Sequence, residues 1–195
     1  MYKRQVSTFI EAVVAPAYDP GALEIMKQKK NMRVLELASL AKGPRFRFKH
    51  VTGGLLVEED DSTLLPPEGV RVVTERKPTP QEMEELIFAW KVVKHVKSNA
   101  IVVAKNKQAV GVGAGQTSRI DSTEIAIKKA GSRARGAVLA SDAFFPFPDS
   151  VKKAAEAGIT AIIQPGGSIR DKESIEEANR TGIAMVLTGM RHFKH

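Results

Sequence analysis

From residue 99 onward the sequence repeats one pattern: a short apolar run, a turn, a helical stretch, and a glycine that stops it. The runs AIVVAK (100–105), QAVGVG (108–113), GAVLAS (136–141), TAIIQ (160–164) and IAMVLT (183–188) read as strands. The stretches at about 118–130, 149–157 and 171–181 read as helices ending at Gly131, Gly158 and Gly182, each well suited to a left-handed helix terminus. Alternating strands and helices require an α/β class, with helices packed on the faces of a sheet. The 100–113 pair reads as a hairpin, so the sheet is expected to be mixed.

Upstream the pattern is looser. Residues 7–15 read as a strand stopped by Pro16, and a helix is expected at about 20–30, with Pro20 as its first residue. MRVLEL and RFRFKHV read as strands, the latter running into Gly53-Gly54-Leu55-Leu56-Val57; residues 58–78, acidic and proline-bearing, read as loop. The best-defined helix starts after Thr79: Thr79 caps, Pro80 occupies the first turn, and Glu82 completes a capping box. Met83, Leu86, Ile87, Trp90 and Val93 follow at helical spacing, which makes Trp90 a core residue.

Composition removes several classes of function. The absence of cysteine excludes disulfide, thiolate and zinc–cysteine chemistry. No apolar run reaches the ~20 residues of a membrane span, and the first residues lack a signal-peptide core. A cytoplasmic protein without membrane partners is expected. The net charge of +8 invites a nucleic-acid reading, but the charge is unevenly spread: residues 1–50 carry ten Lys/Arg against four acids, residues 51–100 six against nine. With no long basic run and 6% aromatics, an anionic small ligand accounts for the balance as well. Nucleic acid is not expected as a partner.

Three loops follow strand ends, the edge where open α/β sheets bind ligands. GVGAGQTSR (111–119) is neither a dinucleotide fingerprint nor a P-loop, yet its small residues would let backbone N–H groups approach an anion at a helix start. Arg119, in the first turn, is badly placed for the helix dipole, which argues for another duty. In PGGSIRD (165–171), Ser168 or Asp171 would serve equally as a helix cap. SDAFFPFPDS (141–150) sets three phenylalanines between two carboxylates, either a core plug or the floor for a flat ligand. Asp142 and Asp149 pair by count as an acid and a base, while Asp149 would also suit a helix N-cap. The four histidines show no metal-ligand spacing, and no G-x-S-x-G elbow occurs.

Read together, HVKSNAIVVAKNKQAVGVGAGQTSRIDS (95–122), SDAFFPFPDSVKKAAEAGITAIIQPGGSIRD (141–171) and the ending MVLTGMRHFKH resemble the C-terminal half of the transformylase domain of the bifunctional purine biosynthesis family. VVAPAYDPGALEIMKQKKNMRVLEL and VTGGLLV fit the same family, so the resemblance covers nearly all of the chain from about Ser7. The resemblance implies a three-layer, cytidine-deaminase-like mixed sheet with helices on both faces, truncated on its N-terminal side. It implies formyl transfer from 10-formyltetrahydrofolate to aminoimidazole-carboxamide ribonucleotide (AICAR), giving FAICAR on the way to inosine monophosphate, in a homodimer.

Carried over residue by residue, Asn99 matches an asparagine that orients substrate. Arg119 matches an arginine at the carboxamide end, Phe144 lies at the substrate base, and Arg191 matches an arginine at the nucleotide phosphate. Asp149 and the turn of Pro165, Gly166, Gly167 and Ser168 match the folate side; a potassium ion near Asp142 is implied for some members. The family's proton-transfer pair, a Lys-His dipeptide in a Lys-His-x-x-Pro setting, does not occur. Lys49-His50 and Lys94-His95 lie in other contexts. The chain is therefore expected to be a fragment with residues 1–6 as a non-native or disordered start, 7–78 as a partial first region and 79–195 as an α/β subdomain. A non-catalytic nucleotide- or folate-binding module is the alternative.

Overall fold

The computed structural model describes residues 9–38, 46–65 and 69–194, so the expectation for residues 1–6 lies outside the described residues. Two compact units are present, one ending at Asp60 and one beginning at Asp61.

In the first unit, β1 (Ala12–Ala15) and β2 (Arg33–Glu36) pair in parallel, with helix α1 (Pro20–Met26) between them in sequence. The Tyr18 hydroxyl lies 3.0 Å from the Val13 carbonyl and 2.9 Å from that of Leu35, tying the two strands together. α1 is shorter than the sequence pattern suggests. Beyond Met26 the amides of Gln28 and Lys29 bond to Ile25 and Met26, three residues back, and the helix tightens into turns. β3 (Phe46–Val51) and β4 (Gly54–Glu59) form an antiparallel hairpin with Phe48 opposite Val57. Glu58 and Glu59, read above as loop, therefore belong to a strand; Glu58 stands opposite Arg47, a favourable cross-strand pairing.

The second unit is built on a six-stranded mixed sheet in the order β5-β10-β9-β8-β6-β7. Its strands are β5 (Arg71–Val72), β6 (Ile101–Lys105), β7 (Gln108–Gly113), β8 (Val138–Ser141), β9 (Ala161–Gln164) and β10 (Ala184–Leu187). β5 is the other correction to the 58–78 loop: its two residues become a strand only by pairing antiparallel with β10. The expected 100–113 hairpin is present, with β6 antiparallel to β7.

Helix α2 (Pro80–Val93) carries the predicted capping box: the Glu82 amide donates to Thr79 Oγ1 at 3.1 Å, and the Thr79 amide to Glu82 Oε2 at 2.8 Å. Its Leu86, Ala89, Trp90 and Val93 pack against Val102, Ala104, Ala140, Ala161, Ile163, Ala184 and Val186. The alternate strand residues Ile101, Val103, Leu139, Ile162 and Met185 pack on the opposite side. There they meet α3 (Arg119–Ala130), α4 (Asp149–Glu156) and α5 (Asp171–Thr181), through Ala126, Val151 and Ala178 among others. Alanine-rich strand positions on the α2 side leave room for Trp90, which is fully buried and donates its indole N–H to Leu64 O at 2.8 Å.

Candidate functional site

β6 runs antiparallel to β7 and to β8, while β8, β9 and β10 run parallel. Strands β7 to β10 therefore share one direction. The loops after β7, β8 and β9 leave the sheet at one edge, together with the segment that enters β6.

Two of the three glycines in the first loop serve packing rather than a ligand. Gly111 and Gly113 lie inside β7 under α3, where a Cβ would fall 2.0 Å from the Ala126 carbonyl oxygen and 1.9 Å from that of Ser122. They are glycine because helix and strand touch backbone to backbone. Beyond them Ser118 caps α3 by accepting the Asp121 amide at 3.2 Å.

Arg119 is the first residue of α3, and its duty is electrostatic. The side chain is buried beside Asp142, itself fully buried. Nη1 donates to Asp142 Oδ1 and, at 3.2 Å, to Ala100 O; Nη2 donates to Asn99 Oδ1 at 2.8 Å. Asp142 completes its shell with the Ala100 amide on Oδ1 at 3.1 Å and the Ser98 hydroxyl on Oδ2 at 2.6 Å. Asn99 is held at its other end too, donating Nδ2–H to Gln116 O at 2.9 Å. A buried carboxylate is tolerated only with such compensation. Among the described residues the Nε–H of Arg119 has no partner.

The Phe/Pro loop turns two ways. Phe145 is fully buried in the core, whereas Phe144 is half-buried and Phe147 exposed. The Arg191 guanidinium stands 5.1 Å from the centre of the Phe144 ring, and that of Arg170 stands 4.8 Å from the centre of Phe147, both within cation–π range. Asp149 is the first helical residue of α4 rather than its cap, a place taken by Pro148. Its Oδ1 accepts the Ser150 amide at 2.6 Å, and a carboxylate in the first turn favours the helix dipole.

Asn99, Arg119, Phe144, Asp149 and Arg191 line one cavity of about 440 Å3, with Thr117, Phe147 and Phe193 on its walls. It offers aromatic faces, an amide, an exposed guanidinium and a carboxylate, the groups that suit a flat polar ligand with an anionic end. Pro165, Gly166 and Gly167 line a separate hollow of about 370 Å3 with Arg71, Asp171 and Thr188. Ser168 lines neither. In that turn the amides of Gly167 and Ser168 donate to the Asp171 carboxylate at 2.7 and 3.2 Å; Asp171 thus serves the helix start from its first helical position, with Arg170 at the cap. The two hollows adjoin through Arg191, whose Nη2 lies 3.8 Å from the point where a Gly167 side chain would begin.

Sequence reading missed His192. Its ring is fully buried, with centroid 4.6 Å from that of Trp90, and its Nδ1 lies 2.6 Å from Asp61 Oδ2. Burial depresses its pKa below the usual histidine range, against the opposing pull of Asp61. No local spacing signals this pair, since 131 positions separate the partners. Among the described residues no cluster of three or more His, Asp or Glu side chains is arranged to hold a metal, and no helix is long and apolar enough to cross a membrane.

Comparison with known proteins agrees with the resemblance. The family described as AICARFT/IMPCHase bienzyme matches residues 2–129. The bifunctional purine biosynthesis protein PurH of Acetivibrio thermocellus is 60% identical over 190 residues, covering 96% of this chain and 37% of that protein. PurH of Caldicellulosiruptor bescii is 63% identical over 188 residues, with 96% and 36% covered, and PurH of Gloeothece citriformis 58% over 193, with 99% and 37%. The chain thus spans little more than a third of the length of these relatives. Acinetobacter baumannii RibD, form 2, overlaps 55% of this chain and 34% of its own at a TM-score of 0.39 and 14% identity, too low to establish a shared fold. On the family match and on sequence identity along nearly its whole length, the chain belongs to the AICARFT/IMPCHase bienzyme family.

Proposed function

We propose that this chain is the C-terminal part of an AICAR transformylase, contributing nucleotide and folate contacts to formyl transfer from 10-formyltetrahydrofolate. The observation that carries the reading is the meeting of Asn99, Arg119, Phe144, Asp149 and Arg191 around one cavity. In this reaction the acceptor amine forms a bond to the formyl carbon, the bond from that carbon to the folate nitrogen breaks, and the amine proton passes to the departing nitrogen. The acceptor is a weak nucleophile, so position matters most. Asn99, clamped between Arg119 and Gln116, orients the substrate; Arg119 stands at its carboxamide end; Phe144 supports the base; Arg191 receives the phosphate. Asp149 faces the folate from the same cavity, and the Pro165–Ser168 turn contributes from the adjoining hollow.

The proton relay is assigned to residues outside this chain. Lys49 and His50 are consecutive in β3 and so project to opposite faces. Lys94 is buried, donating to Thr63 O at 2.8 Å and standing 3.6 Å from Asp61. A potassium ion at Asp142 does not fit: Oδ1 already accepts two donors, one of them the Arg119 guanidinium that supplies the counter-charge, and Oδ2 accepts Ser98. The three-layer, cytidine-deaminase-like arrangement, a homodimer and a cytoplasmic setting belong to the same proposal; the boundary expected near residue 78 falls instead at Asp60/Asp61, since β5 pairs with β10.

Calorimetry of the 195-residue chain with AICAR and with a folate tests it. Binding of both, weakened by Arg191→Ala and Asn99→Ala, with negligible turnover, is the expected result. Absence of binding by the parent chain defeats the proposal, and rapid formyl transfer by the chain alone defeats the assignment of the relay. Binding that never supports transfer, even beside the remainder of the family's domain, would favour a non-catalytic nucleotide- or folate-binding module.

A further inference from the structure

The segment after β10 is fastened by alternate residues. The His192 amide donates to Asp142 O at 3.0 Å, and its ring is fixed by Asp61 and Trp90. Lys194 repeats the pattern: its amide donates to Ser98 Oγ at 3.0 Å, and its carbonyl accepts the Ser98 amide at 2.8 Å. Between and beside these anchors, Arg191 and Phe193 line the cavity. Of the two anchors only His192 buries its side chain, while Arg191 and Phe193 on either side of it line the cavity, the alternation of an extended segment. Because a carboxylate only accepts, His192 Nδ1 carries the hydrogen. Asp61 is partly exposed and is also steadied by Lys94 at 3.6 Å.

We infer that His192 and Asp61 are positioning residues for the phosphate end of the cavity, their hydrogen bond setting the register in which Arg191 stands over Phe144. This rests on the reading of Arg191 as the phosphate contact. Neither residue lines the cavity, so neither touches ligand. Arg191 is exposed and forms no ion pair among the described residues; its placement depends on its neighbours in the chain. That dependence is costly, because a mobile guanidinium must be immobilised on binding.

The test compares two probes on the full 195-residue chain by calorimetry: AICAR, and the same nucleoside without its 5′-phosphate. His192→Phe and Asp61→Ala are expected to weaken the nucleotide by about tenfold, the scale of one charge-assisted contact, and to leave the nucleoside unchanged. Arg191→Ala should do the same, and adding His192→Phe to it should cost nothing further. His192→Asn, which keeps a donor near the Nδ1 position, should recover most of the selectivity. Should His192→Phe fail to fold, Asp61→Ala at the partly exposed partner reads the same ratio. Equal weakening of both probes overturns the inference, as does a ratio that responds to Arg191→Ala but not to the His192 and Asp61 variants. A ratio insensitive to Arg191→Ala overturns the phosphate reading itself, and the inference with it.

Discussion

Arg119 and Asp142 form an ion pair in which the carboxylate has no exposure and the guanidinium almost none. The pair joins the loop before β6, the start of α3 and the end of β8, three separate pieces of the cavity wall. Removing one partner leaves the other charged and buried.

Asp142→Ala is accordingly expected to cost about 3–5 kcal/mol, the range for breaking a buried pair. Urea unfolding measures it. The double variant Arg119→Met with Asp142→Leu should lose less than Asp142→Ala, since no charge is then stranded. A loss of only a few tenths in the single variant would contradict the buried-pair account.

Gly113→Ala places a methyl group 1.9 Å from the backbone oxygen of Ser122, and no rotation relieves a backbone contact. A loss of at least about 1–3 kcal/mol is expected, as for overpacked cores, with α3 displaced from β7. Chemical denaturation with amide exchange of α3 reports both effects. A ligand-cradling glycine would instead lose affinity at unchanged stability.

Glu82 gives the acid limb of stability a specific origin. Burial pushes its carboxyl up, but hydrogen bonds from Arg76 at 2.9 and 3.0 Å and from the Thr79 amide outweigh burial and hold it at about 2, against an ordinary 4.5. The folded-state value is depressed, so the contribution is complete above pH 4.5 and is lost as pH falls through about 2. Urea midpoints of the parent and Glu82→Gln should differ near neutrality and converge toward pH 2. Curves that stay parallel over that range would exclude Glu82 as the source.

The legible parts of the fold are those decided within a few residues. The capping box of Thr79 and Glu82, the left-handed stop at Gly182 and the hairpin over 100–113 all obey local chemistry, and the structure contains them. β5 was hidden because two residues carry no pattern, and only β10 makes them a strand. At the site, the strand-end loops were legible from topology, and five of the named residues meet in one cavity. The meaning of Gly111 and Gly113 was not. Glycine serves equally where a ligand approaches and where a helix does, and spacing does not tell them apart. His192 and Asp61 were beyond reach for the same reason, their relation existing only after folding.

Phe144 and Phe145 are neighbours in sequence that serve opposite masters, one on the cavity wall and one in the interior. A rigid, proline-flanked loop transmits displacement between them instead of absorbing it. Substitutions in the interior behind Phe145, among them at Val151 or Leu139, would then register as altered ligand discrimination as well as lost stability. Exchange of these core residues is thereby expected to alter which ligand the cavity accepts, although none of them lines it.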